Sequence, residues 1–504
     1  MARSSSRAAQ RRLRVFGLLA AVALVAAACS STSEPETTPA TSQVATSTVA
    51  PATTSSVPPS TIPPTDGQLR NSLGYAFPDP PAVTVTGELA AEVIDDLDAL
   101  WGTLRTREID TEAIQRLGTR GDVRVAWLLV DLLRFIQIGA VHEALLEATY
   151  ALTGIEPGAD PVAGLNPWQS FTDHLIAWDL PAHPEYVAYK GELFTIIEPE
   201  WEPFFADEDA AIDWRFTSWG GVNIDSRPLG DQLRCPGGCI PALDDPSVTD
   251  AAGGSWYPDE RIVFGVVVNG EARAYPKHQM EIHEMVNDTL GGRRLGIPYC
   301  TLCGSAQAYF TDSVPDSVEV PVLRTSGLLT RSNKVMFDLN TFSIFDTFTG
   351  VALSGPLHDQ GIALEQTTLV TSTWGEWKAA HPDTTIVAED GGINRSYGLD
   401  PLGGRDDDGP IFPIGDVDER LPVQAEVIGV ITPDGTPVAF PVEDLLAAEG
   451  EPVEFNGLVI TPDGGGFVAA LEDGTAVVSH QAFWFAWSQF HPGTLVWSSS
   501  GLGS

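Results

Sequence analysis

Cys300 and Cys303 stand in Tyr299-Cys300-Thr301-Leu302-Cys303-Gly304, at the end of a stretch that reads as a strand. That spacing lets two sulfurs meet one metal ion, or close into a disulfide that exchanges electrons. Upstream, His278 and the pair His283-Glu284 fall on a short amphipathic helix. An imidazole from His283 or His278 would complete a mixed sulfur–nitrogen set of the kind zinc or copper accepts. A second pair, Cys235 and Cys239, reads as a disulfide or as a companion to the first pair. Three readings are open. The one carried forward is a binding protein that holds copper or zinc through Cys300, Cys303, His283 and His278. Its rival is a thiol–disulfide or metal-assisted enzyme using the same residues. The third is a cell-surface interaction protein in which every cysteine is a structural staple.

Other polar residues carry less. His381 and His491 recur in one context, Trp377 to Thr384 and Trp487 to Thr494, and read as structural. His174, His183, His358 and His480 have no motif around them. There is no Ser/His/Asp constellation and no phosphate loop, so no catalytic residue is assigned. Asp406-Asp407-Asp408 reads as loop surface.

The elements that must position these groups change in texture along the chain. Ala90 to Leu104, Asp122 to Ile138 and Val141 to Leu152 carry apolar residues at helical spacing. The stretch from Gly121 through Leu133 looks like a helical-repeat hairpin of the HEAT type. Residues 167–219 are rich in aromatics and read as a connection whose rings pack the helices onto the strand-rich part of the chain. From about residue 259 the pattern turns to short strands. Phe264 to Pro276, with its Asn269-Gly270 turn, returns as Ile428 to Pro441 with Asp434-Gly435, one residue longer. The expected class is therefore α+β, a HEAT-like helical domain followed by two related β-rich modules from an internal duplication. The boundaries are a helical and aromatic-rich domain over 69–215, a first β-rich module with the Cys-x-x-Cys over 216–395, and a second module without it over 396–504. Only the first copy has thiols and a His-Glu pair, so the site is expected there.

Four motifs together resemble one known family. They are Ile297 to Gly304 around the cysteines, His283-Glu284 with Asn287-Asp288, the run Ser326 to Lys334, and Trp219-Gly220-Gly221-Val222. The chain from about 215 to 500 is similar to the domain-of-unknown-function family DUF3179. That resemblance implies little about activity, because the family is named for its lack of one. This chain departs from the pattern at Phe345 and Thr347, where the family shows Trp and Gln, and in the insertion bearing Cys235 and Cys239.

The N-terminus addresses the protein. Arg3, Arg7, Arg11, Arg12 and Arg14 precede an apolar run from Val15 to Ala28 that ends at Cys29. This pattern reads as a lipoprotein signal peptide over 1–29, with Cys29 as the acylated residue of the mature protein. Residues 30–68 are Ser, Thr, Pro and Ala with little apolar bulk, the composition of a tether. The expected location is outside the cytoplasmic membrane, with the lipid anchor as the only membrane contact. Formal charge is −40 and moves to −45 once the signal is removed, which repels nucleic acid and anionic lipid headgroups. A protein or small-molecule partner is not named by the residues.

Overall fold

The computed structural model of the protein describes residues 68–499, apart from residues 107, 157, 159, 161, 163–164, 232–234, 236 and 405–408. The signal segment with Cys29, the tether up to residue 67 and Asp406-Asp407-Asp408 lie outside the described residues. The N-terminal part is helical. Ala91–Thr103, Thr111–Arg120, Ala126–Phe135 and Ala140–Thr153 form where apolar residues recur at helical spacing. Asp110 caps the second helix by accepting the Ala113 N–H at 2.9 Å, and Gly121 ends it in the left-handed region at φ 80°. The buried stripes of these helices, among them Leu97, Leu117, Leu129 and Leu145, meet in one core.

The aromatic-rich stretch is more than a connection. It folds into the helices Pro167–Ala177, Tyr186–Ile197 and Glu202–Phe205. Its rings join the helices to the first sheet, as expected of them. Trp201 Nε1 donates to Ser326 O at 2.8 Å, and the Phe204 ring lies 5.4 Å from that of Phe337. Leu328, Val335 and Ile344 of the first sheet share the helical core.

The rest of the chain forms five small sheets in a propeller-like arrangement. The first orders its strands Thr217–Trp219, Leu323–Thr330, Asn333–Asp338 and Ile344–Phe345. The second runs Glu365–Thr367, Ala308–Phe310, Arg293–Cys300, Met285–Leu290 and Leu243–Asp244, with Ser305–Ala306 paired to Arg293–Cys300. The third holds the hairpin Ile262–Val268 and Glu271–Pro276 between Leu369–Thr373 on one side and Thr385–Val387 with Val248–Asp250 on the other. The fourth sets Glu426–Ile431 and Pro437–Pro441 between Ser479–Phe483 and Leu495–Val496. The fifth is a meander of Val453–Phe455, Leu458–Asp463, Gly466–Leu471 and Ala476–Val477.

The expectation of an α+β chain ending in two related β-rich modules is therefore corrected: helices are followed by five sheets, not by two duplicated modules. The recurring sequence marks a smaller feature of two sheets. In each, a hairpin is followed much later by a short helix whose tryptophan lies over a hairpin glycine, Trp377 over Gly265 and Trp487 over Gly429. The strand that completes each sheet comes only after an intervening segment that folds as sheets of its own. Those intervening strands carry no copy of the repeat.

Candidate functional site

The strand Arg293–Cys300 is buried along most of its length and delivers Cys300 to the interior. A 3-10 turn, Thr301–Cys303, brings the second sulfur back to the first. Gly304 then reverses the chain at φ 56°, so that Ser305 pairs with Cys300 and Ala306 with Tyr299. A side chain at Gly304 would meet the Phe483 ring at 2.8 Å, so glycine is required twice over. Both thiols are free and buried, Cys300 at 2% exposure and Cys303 at 0%. They share one acceptor: Cys300 Sγ donates to Ser332 O at 3.7 Å and Cys303 Sγ at 3.6 Å.

That acceptor sits on the turn between Leu323–Thr330 and Asn333–Asp338. Thr330 pairs with Asn333, so the turn consists of Arg331 and Ser332, at φ 46° and 69°. A two-residue hairpin with both residues left-handed usually takes Asn-Gly, and neither residue here is glycine. Arg331 is tied down on both ends: its N–H donates to Phe216 O at 3.1 Å, and its guanidinium lies 4.5 Å from the Phe216 ring. The turn also delivers Lys334, which is 4% exposed. Its ammonium donates to Glu284 O, lies 3.3 Å from Tyr299 O and pairs with Glu284 Oε2 at 3.1 Å. Glu284 ends the helix Lys277–His283 in the left-handed region at φ 50°.

These neighbours pull the two thiols apart. Burial raises both, because an ion is costly away from water. At Cys300 the hydrogen bond from Cys303, the Lys334 main-chain N–H and the Lys334 ammonium overcome that cost, and the thiol falls below its ordinary value. At Cys303 burial and the negative charge developing on Cys300 act together, and the thiol rises well above it. Burial likewise lowers Lys334, against the pull of Glu284 and the sulfurs. The arrangement suits a pair in which one sulfur attacks and the other waits.

The two histidines do not join the thiols. His283 Nδ1 lies 2.7 Å from Pro241 O, and Nε2 lies 2.7 Å from the Tyr397 hydroxyl. A carbonyl only accepts, so Nδ1 carries the proton and the Nε2 lone pair is taken by the tyrosine O–H. Burial holds the ring neutral by pushing it down to about 3. His278 stacks on Tyr257 with ring centroids 5.1 Å apart and is pushed down to about 4, again by burial. Among the described residues, the His, Cys, Asp and Glu side chains close enough to share an ion are Asp225, Cys235 and Cys239, not Cys300, Cys303, His283 and His278. Cys235 and Cys239 form a disulfide with Cα atoms 5.4 Å apart. The Asp225 carboxylate is taken by Arg227 Nε at 2.6 Å, Arg227 Nη2 at 2.9 Å and the Ala242 N–H at 2.8 Å. No lone pair there is set aside for a metal.

Residue-by-residue reading missed Lys334, the Ser332 carbonyl and the left-handed Glu284. A signal was present, because Ser326 to Lys334 stands out as a motif and Lys334 is one of four lysines. The dithiol, Glu284 and Lys334 all lie in the part of the chain that a family model covers. Residues 237–461 match the family described as "Protein of unknown function (DUF3179)". The chain resembles DUF3179. The DUF3179 match begins between Cys235 and Cys239, so the disulfide straddles its edge while the dithiol lies well inside. No curated protein and no solved structure is similar enough to match.

Proposed function

We propose that this protein exchanges thiols and disulfides through Cys300 and Cys303, outside the cytoplasmic membrane and anchored by a lipid on Cys29. The observation that carries the reading is the pair itself: two unbonded, buried thiols share the Ser332 carbonyl and are polarised in opposite directions. In the forward step the Cys300 thiolate attacks one sulfur of a partner disulfide. That S–S bond breaks, a mixed disulfide forms, and the departing thiolate takes a proton. Cys303 then loses its proton and attacks Cys300 Sγ, closing the Cys300–Cys303 bond and releasing the second thiol. The partner gains two electrons and two protons, and the pair ends oxidised. Burial keeps bulky disulfides away, so exchange requires local opening of the site. The location rests on the basic segment, the apolar run and Cys29.

Incubating the full-length protein in detergent with mixtures of reduced and oxidised glutathione tests this. The expected result is reversible loss of two thiols, mapped to a Cys300–Cys303 disulfide, with Cys303→Ser trapping glutathione on Cys300. A pair that stays reduced while the protein stays folded would overturn the proposal. So would zinc or copper bound one per chain and lost in the Cys300→Ser, Cys303→Ser double variant.

A further inference from the structure

We infer that Lys334 and Glu284 are a positioning pair that fixes Cys300 as the attacking sulfur and Cys303 as the resolving one. The inference rests on the exchange reading above and names the residues that give it direction.

Lys334 can donate three hydrogen bonds from its ammonium. They go to Glu284 O, to Tyr299 O and to the Glu284 carboxylate, so the charge is locked in one place. One of those acceptors, Tyr299 O, belongs to the residue before Cys300, and the strand pairing puts Cys300 on the same edge. The Lys334 main-chain N–H adds a hydrogen bond to the Cys300 sulfur that Cys303 does not receive. The positive end of this pair therefore works on one thiol more than on the other.

Glu284 supplies the opposite sign. Its carboxylate opposes ionisation of both sulfurs, and its attraction restrains Lys334 from moving closer to them. It holds its place at a cost, because φ 50° is an unfavourable conformation for any residue with a side chain. The surrounding structure enforces it. The Glu284 N–H donates to Met280 O at 2.7 Å, and Glu284 O accepts the Tyr299 N–H at 2.9 Å. Its neighbour His283 is pinned at both ring nitrogens, so the end of the helix cannot drift. The His283-Glu284 motif thus serves the thiols through Lys334 rather than by lending them an imidazole.

The test compares the two cysteines within one molecule. Reduced full-length protein is treated with iodoacetamide at neutral pH, and the labelling rate of each cysteine is read by peptide mapping. Opening of the site exposes both sulfurs together, so their ratio reports the local charges and not overall stability. In the wild type Cys300 is expected to label at least about tenfold faster than Cys303. Lys334→Met should reduce that ratio by about tenfold, Glu284→Gln should raise the Cys300 rate, and Lys334→Arg should restore the ratio. If Lys334→Met and Glu284→Gln shift both cysteines equally, or in the same direction, the pair is only structural and the inference is overturned. Should Lys334→Met not fold, Glu284→Gln and Lys334→Arg decide the matter alone. A wild type that exchanges with glutathione while its ratio ignores these variants defeats this inference and not the exchange reading; a wild type that never closes its disulfide defeats the exchange reading itself.

Discussion

Cys300 and Cys303 were legible as a chemical pair because two residues of spacing at a strand end suffice to bring sulfurs together. The role of His283 was not legible, because its partners Pro241 and Tyr397 are 42 and 114 positions away and only the fold delivers them. Residue type told of a nitrogen able to bind a metal; the hydrogen bonds show both nitrogens already committed. Replacing His283 by Ala should therefore act on stability. It leaves a buried carbonyl and a buried hydroxyl without partners, a loss of about 2 to 5 kcal/mol when the ring's packing is included. The denaturant midpoint should fall accordingly, while metal content stays as in the wild type. A variant that instead lost bound zinc or copper with its midpoint unchanged would return His283 to the ligand role.

At the scale of elements, turns divide by how openly they announce themselves. Asn269-Gly270 was readable as a hairpin turn, and both residues are left-handed, at φ 51° and 84°. Arg331-Ser332 adopts the same kind of turn and announces nothing, because its conformation is imposed by the Phe216 contacts and the packing of the first sheet rather than by its own residues. Ser332 also has a buried hydroxyl without a hydrogen-bond partner. Ser332→Gly should relieve the backbone and remove that hydroxyl while keeping the carbonyl that both thiols use. The expected gain is about 1 kcal/mol, less than the full relief because glycine also loosens the unfolded chain. Thermal unfolding checks it: a lower midpoint would mean that the serine side chain supports the turn.

For the whole molecule, the helices and most hairpins could be read locally, but the number of sheets could not. Strand pairing between residues as far apart as Glu365 and Phe310, or Glu426 and Phe483, decides where one sheet ends and another begins. Burial on this scale also sets the response to acid. His183, His278 and His491 are pushed down to about 4, and His283 and His480 to about 3, with burial the leading cause in each. The unfolded chain binds these protons first as pH drops below about 6.5. Stability is thus complete above that pH and declines toward the folded values, by about 1.4 kcal/mol per pH unit for each histidine at the steepest. Asp173, pushed up to about 7 by burial, works in the other direction, favouring the fold as pH falls from about 7 to 4. Five groups against one predict net destabilisation between pH 7 and pH 5. Urea midpoints across that range measure it, and a flat or rising profile would contradict the burial of these rings.

Gly265 and Gly429 lie so close beneath Trp377 and Trp487 that a methyl group would come within 2.3 Å and 2.1 Å of the rings. Each indole is further tied by its N–H, to Thr384 Oγ1 at 2.9 Å and to Thr494 Oγ1 at 3.1 Å, and cannot step aside. Glycine and tryptophan in each pair are therefore inherited as a unit: neither can drift alone without a clash or a hole. Gly265→Ala by itself should cost about 3 kcal/mol or more, and Gly265→Ala with Trp377→Leu clearly less than the sum of the two single changes. Among descendants of such a chain, the two positions should change together or not at all.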